Sequence, residues 1–348
     1  MKRMSVLVLI ALLVFPVLSA CTPATESAET TEVVDPPATL TEEPTDEPTA
    51  IPTETPIPEP TATAAPPTDV PVLSEMVDVG GYEVFLECVG EGSPTVVLIS
   101  GVGKDHTIWS VTIGNITASL GVRICTYDRP GLGQSDPLPA KARTDQAMSD
   151  ELYALLTNAD IPGPYILAGE FYGHSIARIF ADQHPDDVVG MIFVGSGYEV
   201  FIDNLLTEVL PPEEEGEDPT ITMIRGAFSF YLGDPMQQPE QFDLMTSLSQ
   251  LEETAPLGDM PLMVIANDIF DLQPVVDQWP AYFGGAELNK EVLIDIEEAR
   301  SLQYLKLAGL STESDLIVIR GCSFNIVGDY PDVIAQAIES MVEKVNNQ

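Results

Sequence analysis

Two glycines four residues apart, Gly169 and Gly173, do most to restrict what this chain can fold into. They close an apolar, β-rich run from Tyr165 to Ala168 and open a stretch with helical spacing. A sharp strand-to-helix reversal needs residues without a Cβ on either side. The pattern G-x-S-x-G builds such a turn to push its central side chain into an active site. Here the central residue is Phe171, which has no nucleophilic atom. The turn persists while the reactive group at its apex is missing.

Composition divides the 348 residues into three parts. Lys2 and Arg3 precede an apolar run from Val6 to Leu18, and small residues lead into Cys21. That is the plan of a secretory signal peptide over residues 1–20, too short for a spanning helix. Leu18-Ser19-Ala20-Cys21 has the form of a bacterial lipobox, whose Cys is acylated and becomes the new N-terminus. An ordinary signal peptide or a membrane anchor is the plainer alternative. Residues 21–73 start with the lipidated Cys and continue mostly as Thr, Pro, Glu and Ala. Such a segment cannot bury enough apolar surface to offset chain entropy, so it is expected to stay disordered and extended. At about 3 Å per residue it spans ~150 Å at most, which suits a spacer between a membrane and a domain. Residues 74–348 suffice for one large domain with a sizeable core.

The formal net charge is −41, and no Lys or Arg lies between Arg3 and Lys104. Nucleic acid and anionic lipid are poor partners for such a surface. The acidic stretch 213–218 has no regular ligand loop for calcium, and neither a metal nor a cofactor is expected. With Cys21 assigned to lipid, export permits disulfides among Cys88, Cys125 and Cys322.

Within the domain, residues 82–88 alternate as a strand, and Thr95–Ser100 is a short apolar run of the buried parallel type. Further strands are read at 122–127, 165–169, 188–194, 261–266 and 316–319. Helical spacing falls near 109–120, 144–159, 174–184, 288–307 and 331–345. Residues from Gly197 to about Asp259 break this alternation and read as an inserted helical cap. The pattern predicts an α/β fold: a mostly parallel, twisted sheet with helices on both faces.

PTVVLISGVG from Pro94, Trp109, RICTYDRPGLGQSDP from Arg123, PYILAGE from Pro164, IARIFADQHPDDVVGMIFV from Ile176 and GDYPDVIAQAI from Gly328 occur in order. In sequence and spacing they resemble the α/β-hydrolase family, especially exported bacterial members similar to esterases and peptidases. The resemblance implies the α/β-hydrolase fold and a Ser, acid, His triad in chain order. Phe171 takes the Ser position, with Glu170 where His is common, and Phe324 takes the His position in Cys322-Ser323-Phe324-Asn325-Ile326. The three histidines are His106, His174 and His184, so none follows the helix after the turn. Gly195 stands where many relatives carry an acid, and Asp268 or Asp271 fits the other acid site. Gly101, Val102 and Gly103 resemble an oxyanion loop, and the Tyr172 N–H sits where its second donor would be. Asp128, Arg129, Gly131, Gly133 and Ser135 match the family's structural loop. The resemblance also makes the strands carrying Cys88 and Cys125 neighbours, so a disulfide or near contact is expected there.

Gly173-His174-Ser175-Ile176-Ala177 offers a rival nucleophile in Ser175, about one helical turn past the apex. Adjacent helical residues do not face each other, so His174 is badly placed to activate it. Cys322 is another candidate and lacks a His base. His106 is either a ligand contact or a loop residue, and His184 before Pro185 reads as structural. Glu170, Phe171, Tyr172, His174 and Phe324 should converge, either filling the pocket or lining a site for an apolar or sugar-like ligand. These readings lead to a membrane-anchored, catalytically inactive hydrolase-like protein that binds a small molecule, a peptide or an envelope protein. The alternative is an active serine hydrolase, esterase- or peptidase-like, using a displaced nucleophile such as Ser175.

Overall fold

Apolar runs place the centre of the sheet, and alternation within each run decides which residues face which helices. The computed structural model describes residues 72–116, 120–138, 141–196, 216–231, 234–237, 239–267, 272–321 and 325–348. The signal segment, Cys21, the linker to residue 71, residues 197–215 of the expected cap, Asp268, Asp271, Cys322 and Phe324 lie outside them.

The strands are β1 (Val72–Asp78), β2 (Glu83–Val89), β3 (Thr95–Ile99), β4 (Arg123–Tyr127), β5 (Tyr165–Glu170), β6 (Val188–Val194), β7 (Leu262–Asn267) and β8 (Ser314–Ile319). They form one 8-stranded sheet in the order β1-β2-β4-β3-β5-β6-β7-β8. β1 pairs with β2 and β2 with β4 antiparallel, and the remaining pairs are parallel. β3, β5 and β7 are buried along their whole length, as continuous apolar runs in a sheet covered on both faces should be. β1 begins at Val72, two residues before the expected domain start, and exposes most of its residues at the sheet's edge.

The helices are α1 (Ser110–Asn115), α2 (Asp145–Asn158), α3 (Gly173–Gln183), α4 (Pro219–Tyr231), α5 (Leu244–Glu252), α6 (Gln273–Val276), α7 (Trp279–Tyr282), α8 (Lys290–Ala308), α9 (Ile326–Asp329) and α10 (Pro331–Asn346). Val97, Ile99 and Leu167 face one core layer with Leu152 and Leu155 of α2, Phe180 of α3 and Tyr304 of α8. Val96, Leu98 and Ile166 face the other, with Trp109 and with Ile334, Ile338 and Met341 of α10. The period of two along each strand thus feeds two cores. A smaller cluster joins Ile224 of α4, Val276, Trp279, and Leu293 and Ile296 of α8.

Two details position the site. α3 starts directly behind β5, with no intervening loop beyond two residues. The segment before α5 is pinned to the entry of α2: Arg143 N–H donates to Gln241 O at 2.9 Å and Asp243 N–H to Arg143 O at 2.8 Å. Phe242 between them enters the main core.

Candidate functional site

Phe171 lies at the apex of the β5–α3 turn with φ +44°, a left-handed conformation that costs a bulky residue energy. The surroundings impose it. Phe171 N–H donates to Val194 O at 2.9 Å. A Cβ on Gly169 would come 2.3 Å from His174 N, and one on Gly173 would come 2.2 Å from Ile99 O. Both glycines therefore allow α3 to close on β3 and β5. The Phe171 ring lies over Gly195, where an added Cβ would come 3.0 Å from it. Sequence positions read as nucleophile and acid are thus brought together, occupied by a hydrocarbon ring and a glycine.

The loop after β3 meets this turn from the other side. Gly101 N–H donates to Glu170 Oε2 at 2.7 Å, and Lys104 Nζ lies 2.5 Å from Glu170 Oε1. Gly103 N–H donates to Glu240 Oε1 at 2.8 Å. Arg129 forms a bidentate pair with Glu240, at 2.6 Å from Nε and 3.0 Å from Nη2. Its remaining donors reach Ser100 O at 2.5 Å and Gly101 O at 2.6 Å. Two carboxylates from distant parts of the chain therefore occupy backbone donors of one short loop.

Burial opposes the charge on Glu240. The Arg129 charge and hydrogen bonds, with the Gly103 N–H, outweigh it and hold the carboxyl below its ordinary 4.5. Burial likewise opposes the guanidinium, and Glu240 more than offsets it, so Arg129 is raised. Glu240 and Gln241 both have positive φ, 57° and 54°, so this ion pair is held by unusual backbone.

Tyr172 and His174 do not line an open cleft with their side chains, which go into the core. The Tyr172 ring packs edge-on against Phe242 with centroids 4.3 Å apart, beneath the Arg129 guanidinium. Burial first, then Asp145, pushes its phenol well above the ordinary 10.0. The His174 ring lies 4.9 Å from that of Phe193. The physical reason is shared: Tyr172 caps α3 and His174 lies in its first turn, which the two glycines press against the sheet. Ser175 follows them and is 1 % exposed. Val102 packs partly buried against the main core.

His106 is held by Asp128. Asp128 Oδ1 accepts its N–H at 2.7 Å and lies 2.8 Å from its Nδ1. Asp128 Oδ2 accepts the Gln134 N–H at 2.8 Å, and a Cβ on Gly133 would come 2.0 Å from it. One side-chain donor atom from each of Asp105, His106 and Asp128 lies within 4.8 Å of the other two. Asp105 meanwhile caps the turn at Thr107, so the carboxylates are already committed to backbone donors. His184 stacks on Tyr153 with centroids 3.9 Å apart. Cys88 and Cys125, directly opposite on β2 and β4, form a disulfide.

Glu240 is the site residue that sequence reasoning missed. It lies in irregular sequence between β6 and β7 with no motif and reaches the loop through tertiary closure alone. Arg129 was visible as part of a structural loop, and nothing local announced its partner. Lys104 carried a faint signal, as the first cation after a long anionic stretch.

The sheet order, the turn and the loop together define an α/β-hydrolase fold. A family model described as alpha/beta hydrolase fold matches residues 94–218. The chain is 26% identical over 250 residues to the uncharacterized protein YqjL of Bacillus subtilis, covering 72% of this chain and 83% of that one. It is 31% identical over 122 residues to a 2-hydroxy-6-oxononadienedioate/2-hydroxy-6-oxononatrienedioate hydrolase of Cupriavidus pinatubonensis, covering 34% of this chain and 42% of the hydrolase. Among solved structures, a bromoperoxidase from Bacillus anthracis superposes with a TM-score of 0.51 at 15% identity, over 78% of this chain and 100% of that one. At that identity the likeness extends to fold alone.

Proposed function

We propose that this is an α/β-hydrolase-fold protein without acyl-transfer activity, which binds a small molecule, a peptide or an envelope protein. The observation that carries the reading is Phe171, a side chain without a nucleophile held at the apex of an otherwise intact turn. Acyl transfer needs nucleophile and general base as a unit, and no histidine follows His184 in the sequence. The burial of Ser175 supports the same reading, because a nucleophile must reach its substrate. Glu170 on the Gly101 N–H supports it further, since that donor is withheld from a developing oxyanion.

Lipidation of Cys21 would hold the protein on the extracytoplasmic side of a membrane, with the Thr/Pro/Glu-rich segment as spacer. No described helix is long and apolar enough to cross a membrane. Replacing Cys21 by Ser is expected to release the protein from the membrane fraction; unchanged fractionation counts against the anchor.

Labelling of the full chain with a fluorophosphonate probe, followed by peptide mapping, tests the inactive reading. No adduct, with cooperative melting intact, is the expected result. An adduct at Ser175 would restore the alternative reading, a serine hydrolase with a displaced nucleophile.

A further inference from the structure

Two N–H groups of one loop, at Gly101 and Gly103, each end on a carboxylate supplied by another part of the chain. We propose that this loop is a carboxylate-binding site, and that the chain fills its inner position with Glu170. The inference stands on the loop geometry and holds whether or not the protein turns over a substrate.

Glu170 is received as a ligand would be. One carboxylate oxygen takes the Gly101 N–H at 2.7 Å, and the other meets Lys104 Nζ at 2.5 Å. Charge-assisted bonds of this kind, split over both oxygens, select a carboxylate over a neutral group. The carboxylate sits within 2.4 Å of where a Gly101 Cβ would be, so the glycine is what admits it. The Glu170 side chain is 1% exposed, whereas that of Lys104 is 37% exposed, so the site is dry within and open to solvent along the lysine. Its backbone is fixed at the end of β5, paired with Val194. Glu240 repeats the recognition two residues along the loop. A carboxylate-bearing ligand of the native protein gains the inner donors only by displacing Glu170. A ligand without one must bind in the cleft by other contacts.

Replacing Glu170 with Ala removes one methylene and one carboxylate, the heavy atoms of acetate. Thermal melting of the full chain, wild type against Glu170→Ala, would be followed in sodium acetate and in sodium chloride at equal ionic strength. The expected result is a lowered Tm for E170A, restored saturably by acetate with half-effect at roughly millimolar concentration. Chloride should not restore it, and wild type and E170Q, whose sites stay filled, should not respond. Adding Lys104→Ala to E170A should weaken the rescue. Absence of rescue, or an equal acetate response in wild type and E170Q, overturns the proposal.

If E170A does not fold, E170Q supplies a second readout. It retains the bulk and an acceptor while releasing the charge that holds Lys104. Acylation of Lys104 by an amine-reactive ester, mapped by mass spectrometry and normalised to Lys290, should then be several-fold faster than in wild type. Equal rates at Lys104 would show that Glu170 does not act as its ligand, and the proposal would fall.

Discussion

Gly173 shows how little freedom the turn leaves. A Cβ there would meet Ile99 O at 2.2 Å, against backbone that cannot move without opening β3 from α3. Gly173→Ala is therefore expected to destabilise by more than about 3 kcal/mol, read from the urea midpoint at unchanged m-value. Phe171→Ser tests the other half of the turn. It restores an oxygen at the apex while no histidine follows His184 and Glu170 still holds the Gly101 N–H. Ester hydrolysis by F171S should stay within about ten-fold of wild type, a difference of ~1.4 kcal/mol in barrier; a larger gain would mean that a base exists elsewhere. Phe171 was legible in the sequence because flanking glycines fix its register. Tyr172 and His174 were legible as near the turn, and their inward direction was not. That direction depends on how closely α3 packs, which no single residue declares.

At the level of elements, the decisive contact joins the β3 loop to the segment before α5. Arg129 and Glu240 are both buried, and removing one leaves the other's charge without compensation. Glu240→Ala is expected to cost about 3–5 kcal/mol in a urea titration, whereas replacing both by apolar residues of similar size should recover much of that loss. The strands were readable because buried parallel strands are continuous apolar runs bounded by turn residues. β8 is longer than its apolar signal, starting at Ser314 where polar residues still pair with β7. The stretch between β6 and β7 was readable only as an interruption. Its contribution to the site passes through a positive-φ residue in an irregular stretch, where neither periodicity nor propensity operates.

The whole molecule joins a strongly anionic surface to a few buried, paired carboxylates, and acid acts on the latter with a definite sign. The Glu240 carboxyl is lower in the folded protein than its ordinary 4.5. Its contribution is thus fully present above about pH 4.5 and is lost as pH falls through the folded value. Denaturation midpoints taken from pH 7 to pH 3.5 should therefore fall more steeply for wild type than for Glu240→Gln; parallel curves would deny Glu240 that role. The disulfide acts on the unfolded chain instead. For a sequence separation of 37, its removal in a Cys88→Ala, Cys125→Ala double variant should cost about 3–4 kcal/mol, measured by melting without reductant. The bond also turns residues 88–125 into a closed covalent ring that carries β3, the Gly101–Lys104 loop and Trp109. A peptidase that nicks this ring once releases nothing. The fragments stay tethered until a reductant arrives, so the loop can be cut while the pieces remain one covalent molecule, heavier only by the water that hydrolysis adds.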